Sequence, residues 1–272
     1  MGNQCCTSED RGDNDLNTQT IRKKLQSSMP AKEDEREKHA PSDRLAKEVD
    51  ELNQMNSQVE RVYEKCREYD LSDLDLHDSF QYYPTLGPYL YSDEAVYEGQ
   101  YKQGKRHGFG TQIWSDGSIY EGAWVNDKCN GKGRYIDAEG NLYEGDWVED
   151  KIQGYGVYTH IDGMTYEGDW KEDMQNGKGT QKWTDGSQYD GDFKSGVMHG
   201  EGVFTWADGA RYNGKFVNGK KEGYGEYQGA DGSKYQGNWL NDKKHGEATF
   251  TSADGDQRRG EWKEGTRVRW ID

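Results

Sequence analysis

GDFKSGVMHGEGVFTWADG, residues 191–209, decides the fold. The stretch is too rich in glycine for a helix and too rich in rings for a linker. The same phrase returns along the chain. Aligned on Tyr-x-Gly, copies begin at Tyr97, Tyr120, Tyr143, Tyr166, Tyr189, Tyr212 and Tyr235, each 23 residues after the last. Arg258 takes the next tyrosine slot, and Gly260 and Trp262 keep the phase. Four places after each start stands an aromatic ring: Tyr101, Trp124, Trp147, Trp170, Phe193, Phe216, Trp239 and Trp262. A Gly-x-Gly follows, from Gly108/Gly110 to Gly223/Gly225, with Gly246/Ala248 the departure. An acidic-Gly pair closes each unit, from Asp116-Gly117 to Asp254-Gly255. No insertion breaks the spacing, which marks a repeat array.

Within a unit the residues alternate with the period of a strand. Tyr189, Gly191 and Phe193 share one face, and Asp190, Asp192 and Lys194 the other. Ser195-Gly196 and Asp208-Gly209 supply tight turns, since glycine reaches positive φ freely. Each unit therefore reads as a β-hairpin whose neighbours continue the meander. The glycines have a packing role: a ring lies flat across a sheet where the backbone beside it carries no side chain. One hairpin is marginal in water, so stability comes from stacking neighbours.

The phrase YEGDWKEDMQNGKGTQKWTDGSQ, residues 166–188, and its siblings resemble the MORN (membrane occupation and recognition nexus) repeat. The resemblance runs from Tyr97 to about Asp272. It implies an elongated, single-layer, twisted antiparallel sheet that serves as a scaffold. The second copy departs at Asn130 and Asp137, which stand at the usual histidine and tryptophan positions, and the sixth at Gly229. The same ruler, pushed backwards, makes residues 86–95 (LGPYLYSDEA) the second strand of a degenerate leading hairpin, with Glu94 at the turn-glycine slot. The expected fold is all-β: a single-layer antiparallel hairpin meander over 85–272, seven full repeats with partial units at both ends. About 15 strands roughly 4.8 Å apart make a ribbon on the order of 70 Å long.

Composition excludes several function classes. Hydrophobic residues are 31% of the chain, and no apolar run is long enough to span a bilayer. The net charge is −16, with −9 on residues 1–96 and −7 on the rest, so neither part offers the basic face that nucleic acid needs. Four cysteines, two of them adjacent, make no disulfide framework.

Ahead of the array the chain changes character. It opens MGNQCCTS, with Gly2 placed for myristoylation and Cys5 and Cys6 placed for palmitoylation. One acyl chain binds membrane marginally and a second makes anchoring stable. Cys6 stands where such starts prefer serine or threonine, and a tail with incidental cysteines is the bland alternative. Residues 1–41 read as a disordered tail, and Arg22-Lys23-Lys24 as a minor contact for acidic lipid. From Ser42 the pattern predicts a helix over 42–69, with Leu45, Val49, Leu52, Asn56, Val59, Tyr63 and Cys66 in steps of four and three. That stripe either pairs with a second copy as a short coiled coil or docks against the first hairpins. Residues 70–84 read as an acidic linker.

Catalytic candidates dissolve on inspection. GKFVNGKK (214–221) lacks the final Ser/Thr of a phosphate loop and sits on a hairpin turn. His107, His199 and His245 share one repeat slot, but the nearest two stand roughly 19 Å apart by strand counting, too far for one metal ion. DLSDLDLHD (70–78) lacks the glycine and terminal glutamate of a calcium loop. No enzyme, metal site or cofactor is expected.

Two surface features remain. Turn cations Lys105, Arg106, Lys128, Lys151, Lys220, Lys221, Lys243 and Lys244 are expected to line one long edge, where they keep the sheet soluble or, at Lys105, Arg106, Lys220, Lys221, Lys243 and Lys244, touch anionic lipid. MORN arrays have been associated with phosphoinositide headgroups, so the resemblance adds that ligand. The rings Tyr101, Trp114, Trp124, Trp147, Trp170, Trp183, Phe193, Trp206, Phe216 and Trp239 are expected to form an exposed stripe for a protein partner, an apolar helix or extended segment. The expected function is a non-enzymatic adaptor tethered to the cytoplasmic face of a membrane. The resemblance points to membrane–cytoskeleton junctions, cilia or the cell cortex. A structural component of a ciliary axoneme without a membrane role is the rival, and a phosphoinositide-binding accessory factor the third.

Overall fold

The computed structural model describes residues 83–271. The acylation residues Gly2, Cys5 and Cys6, the tail, the helix expected over 42–69 and most of the linker lie outside the described residues. The described chain is one sheet of 17 strands, from β1 (Thr85–Leu90) to β17 (Thr266–Trp270), each paired antiparallel with the next. The count exceeds the expected 15 because the unit after the seventh repeat forms two strands, β16 (Gln257–Lys263) and β17, and the leading unit adds β1 to the fourteen strands of the seven repeats. Among the described residues no strand pairs β1 with β17, so the sheet stays open.

Seven-residue strands alternate with nine-residue strands. The first such pair is β2 (Val96–Lys102) and β3 (Lys105–Ile113), and β4 (Ile119–Val125), β5 (Lys128–Ile136) and β6 (Leu142–Val148) continue the series. The extra length is a bulge. Between Gly99 and Tyr101 the short strand has Gln100 alone, opposite three residues between Arg106 and Gly110 of the long one. Gly108 makes the excursion at φ 82°. The lone opposing residue staples it: Gln100 Oε1 accepts from the Phe109 N–H at 2.8 Å, and Asp146, Asp169 and Asp192 do the same for Tyr155, Lys178 and Glu201 at 3.0 Å. A bulge in every hairpin adds local twist.

The two turn types differ in chemistry. The turn after each short strand places both central residues in the left-handed region, as Asn126 (φ 50°) and Asp127 (φ 72°) do. This is the twist-matched two-residue hairpin turn. Asp stands there in place of glycine at Asp127, Asp150, Asp173 and Asp242, and each carboxylate accepts from a backbone N–H of the preceding repeat: Arg106, Cys129, Ile152 and Lys221, at 2.7–2.8 Å. That bond offsets the strain of positive φ in a side-chain-bearing residue. At the other turn the aspartate of Asp-Gly caps the backbone two residues on, as Asp116 does for Ser118 at 2.9 Å. Before the first repeat Glu94 takes the glycine's place at φ 68°.

Candidate functional site

The tyrosine that starts each repeat lies across the glycine pair of its own hairpin. A Cβ on Gly122 would fall 2.5 Å from the Gly133 Cα and 2.7 Å from Tyr120 Oη. The hydroxyl donates to the backbone carbonyl three residues on: Tyr120 to Ala123 at 2.9 Å, Tyr166 to Asp169 at 2.9 Å, Tyr212 to Lys215 at 3.1 Å. These tyrosines are buried, and burial pushes their hydroxyls far up from the ordinary value near 10, Tyr235 to about 12.

Between successive tyrosines stands the ring from the fifth slot. Tyr97, Trp124, Tyr120, Trp147, Tyr143, Trp170, Tyr166, Phe193, Tyr189, Phe216, Tyr212, Trp239, Tyr235 and Trp262 form one unbroken edge-to-face series. Centroids are 4.9–5.4 Å apart and planes 78–87° apart. Each such pair adds about 0.5–1.5 kcal/mol beyond area burial. The array's core is therefore a ring zipper on one face of a single sheet.

The expected exposed stripe is corrected at most of its positions. Trp114, Trp124, Trp147, Trp170, Phe193, Phe216 and Trp239 are buried, between 1 % and 8 % exposed. All but Trp114, which packs on Tyr135, are clasped by tyrosines on both sides. Tyr101, Trp183 and Trp206 are half-buried. A second ring row, unremarked in the sequence, joins the last two: Phe204 lies 5.3 Å from Trp183 and 4.7 Å from Trp206, and Tyr227 lies 5.6 Å from Trp206. It occupies the slot of Gln112, Tyr135, Tyr158, Gln181, Phe204, Tyr227 and Phe250, visible as a 23-residue column of rings interrupted by two glutamines.

The cations also divide. Lys105, Lys220 and Lys243 point to solvent. Arg106, Lys221 and Lys244, one residue on, turn onto the ring face. Arg106 Cζ stands 4.5 Å from the Trp124 ring, Lys221 Nζ 5.0 Å and 5.1 Å from Trp206 and Trp239, and Lys244 Nζ 4.9 Å from Tyr235. Burial among these rings lowers the Lys221 ammonium from its ordinary value. Part of the turn edge is charge-paired: Lys128, Lys151 and Lys243 pair with Glu149, Glu172 and Glu264 of the next turn. The expected basic edge is thus reduced: Arg106, Lys221 and Lys244 lie among rings, Lys243 is ion-paired, and Lys105 and Lys220 remain at the solvent. The alternation of the strand decides it: neighbouring residues face opposite sides.

The ring face of the C-terminal half therefore carries half-buried aromatics, Trp183, Trp206 and Tyr227, packed against the buried Phe204 and flanked by Lys221 and Lys244. Such a surface binds apolar side chains by stacking and an acidic group by charge. Among the described residues no three His, Cys, Asp or Glu side chains gather to hold a metal ion.

Three comparisons bear on this geometry. The MORN repeat profile matches seven consecutive segments, 97–119, 120–142, 143–165, 166–188, 189–211, 212–234 and 235–257. No curated protein matches the sequence. Among solved structures, the TCP domain of SAS-4 (dCPAP) of Drosophila melanogaster, in complex with a proline-rich motif of Ana2 (dSTIL), is 10% identical. That match covers 63% of this chain and 86% of that one at a TM-score of 0.37. The TCP10 domain of Danio rerio CPAP is 11% identical, with 69% and 88% covered and a TM-score of 0.39. Likeness at this level carries no functional argument. The unbroken run of matched repeats does carry one: spanning more than half of the chain, it shows that this protein belongs to the MORN repeat family, a family of non-catalytic repeat scaffolds.

Proposed function

We propose that the protein is an adaptor that holds a protein segment on its ring face and is tethered to the cytoplasmic side of a membrane by acyl chains on Gly2, Cys5 and Cys6. The observation that carries the binding half is the half-buried row Trp183, Trp206 and Tyr227, backed by the buried Phe204, beside Lys221 and Lys244. Aromatic surface of this kind suits a segment with apolar anchors and an acidic residue, whether helical or extended. The scatter of cations among rings favours a protein over a phosphoinositide headgroup, which calls for converging charges. The tether rests on the opening sequence, and the family's habit of sitting where membrane meets cytoskeleton agrees with it.

Proximity labelling in cells with the full chain and its Trp183→Ala/Trp206→Ala variant tests the binding half. Loss of a defined set of labelled proteins in the variant, with unchanged circular dichroism, is expected. An identical labelled set would overturn the assignment of that row. For the tether, Gly2→Ala should release the protein to the soluble fraction. Retention in place would favour a ciliary structural component with no membrane role. Vesicles with and without phosphoinositide, mixed with unacylated protein, test the headgroup reading.

A further inference from the structure

The face opposite the rings is polar over most of the array, and its first repeats depart from that rule. Val96, Ile113, Ile119, Ile136 and Leu142 are successive cross-strand partners over β2 to β6, with Leu90 of β1 packed beside them. On later strands the same rows carry Thr165, Gln188, Arg211 and Lys234, and Lys182, Thr205 and Gln228. The early rows are also far better covered. Ile119 is 2 % exposed and Ile136 5 %, while Arg211, Lys234 and Gln228 are exposed.

The cover extends sideways along the strands. Ala123 on the same face is 5 % exposed, whereas Asp169, its counterpart two repeats on, is open to solvent. Between them Glu121 Oε2 is buried with no hydrogen-bond partner among the described residues, and burial pushes its carboxyl up. Among the described residues no strand lies over this face. A single layer leaves the outer side of an isoleucine wet, so a 2 % exposure calls for a second layer.

We propose that residues 42–69 of this chain form that layer, laying the stripe Leu45, Val49, Leu52, Val59 and Tyr63 across Val96, Ile113, Ile119 and Ile136. The dimensions agree. The patch crosses five strand spacings, roughly 24 Å, and a helix from Leu45 to Tyr63 is roughly 27 Å long. From Ile119 to Ala123 the covered belt is roughly 13 Å wide, close to one helix diameter. The thirteen residues between 70 and 82 reach roughly 43 Å when extended, enough to return from β1 to any part of the patch. The described chain enters at β1, the edge from which the apolar rows begin. A helix placed there stiffens the leading end of the ribbon and leaves the ring face free.

Thiol labelling of the full, unacylated chain tests the proposal. In a Cys5→Ser/Cys6→Ser/Cys66→Ala/Cys129→Ala background, Ala123→Cys and Asp169→Cys are compared with a maleimide probe. Ala123→Cys should react on the order of tenfold more slowly, and adding Leu45→Asp/Leu52→Asp/Val59→Asp should bring it to the Asp169→Cys rate. Those three substitutions lie outside the array, so its tryptophan fluorescence should not change. Equal rates in the two single-cysteine proteins would overturn the proposal. So would slow labelling that survives the triple substitution. Protection that grows with protein concentration, alongside a dimer in sedimentation, would overturn it in favour of a second copy.

Discussion

The indole Nε1 of Trp124 donates to the carbonyl oxygen of Gly110, fourteen residues back, at 2.9 Å. Trp147, Trp170 and Trp239 repeat the bond to Gly133, Gly156 and Gly225 at 3.3, 3.1 and 3.3 Å. Each tryptophan thus ties its own hairpin to the one before. Phe193 and Phe216 keep the ring contact and lack the donor.

Replacing Trp170 by Phe should therefore separate packing from hydrogen bonding. The ring series stays intact and the Gly156 carbonyl loses its partner, so stability should fall by about 1 kcal/mol. A lowered urea midpoint with an unchanged slope is the expected reading. An unaltered midpoint would show that ring packing alone joins the hairpins.

The glycine pairs under the first six tyrosines are crowded, whereas Ala248 already stands in the pair under Tyr235. A Cβ on Gly156 falls 2.6 Å from two Tyr143 ring carbons, so Gly156→Ala must displace the ring or part the strands. A loss of about 1–3 kcal/mol is expected. At Gly87 nothing lies within 4 Å of an added Cβ, and Gly87→Ala should stay within about 0.5 kcal/mol. Thermal melts of both variants distinguish crowding from any general intolerance of alanine.

Alkaline pH should unfold the array through its tyrosines. Their hydroxyls are raised in the folded state, Tyr235 to about 12 and the others further. The unfolded chain loses those protons above about pH 10 while the folded chain keeps them. The stabilisation is complete below pH 10 and drains away as pH rises through the folded values. Phenolate absorbance should consequently appear together with loss of strand circular dichroism. Titration of most tyrosines in a still-folded protein would contradict their burial.

Lys221 should be replaceable at a gain. Its ammonium is held below the ordinary value by burial among Trp206, Tyr212 and Trp239, and Met198 fills the same slot one repeat earlier. Lys221→Met should stabilise the array near pH 7 by about 1 kcal/mol. A lowered lysine binds fewer protons folded than unfolded, so the parent gains stability as pH rises toward about 10.4. The gap between variant and parent should narrow over that window in paired denaturation curves. If Lys221 instead receives an acidic group of the partner, the variant should bind it more weakly.

The 23-residue ruler, the hairpins and the nesting of rings on glycine were all legible in the sequence. Gly110 and Tyr97 show why: a ring that needs a bare backbone leaves a glycine at a constant distance, and a constant distance survives in one dimension. Turn glycines are legible for the same reason, and even Glu94 keeps the slot's left-handed backbone. Exposure was not legible. Trp170 and Trp183 look alike in the chain, yet one is clasped between Tyr143 and Tyr166 while the other leans outward against Phe204.

By itself, then, the sequence determined the period, the strand class and the residues that meet across each hairpin, because these depend on contacts within one or two repeats. Tertiary structure alone decided which rings are buried in holding the ribbon and which stay half-buried. It also decided that Arg106, Lys221 and Lys244 cover rings while Lys128, Lys151 and Lys243 answer the acids of the next turn. Burial and charge pairing depend on neighbours stacked from other repeats, and that stacking exists only once the strands have assembled.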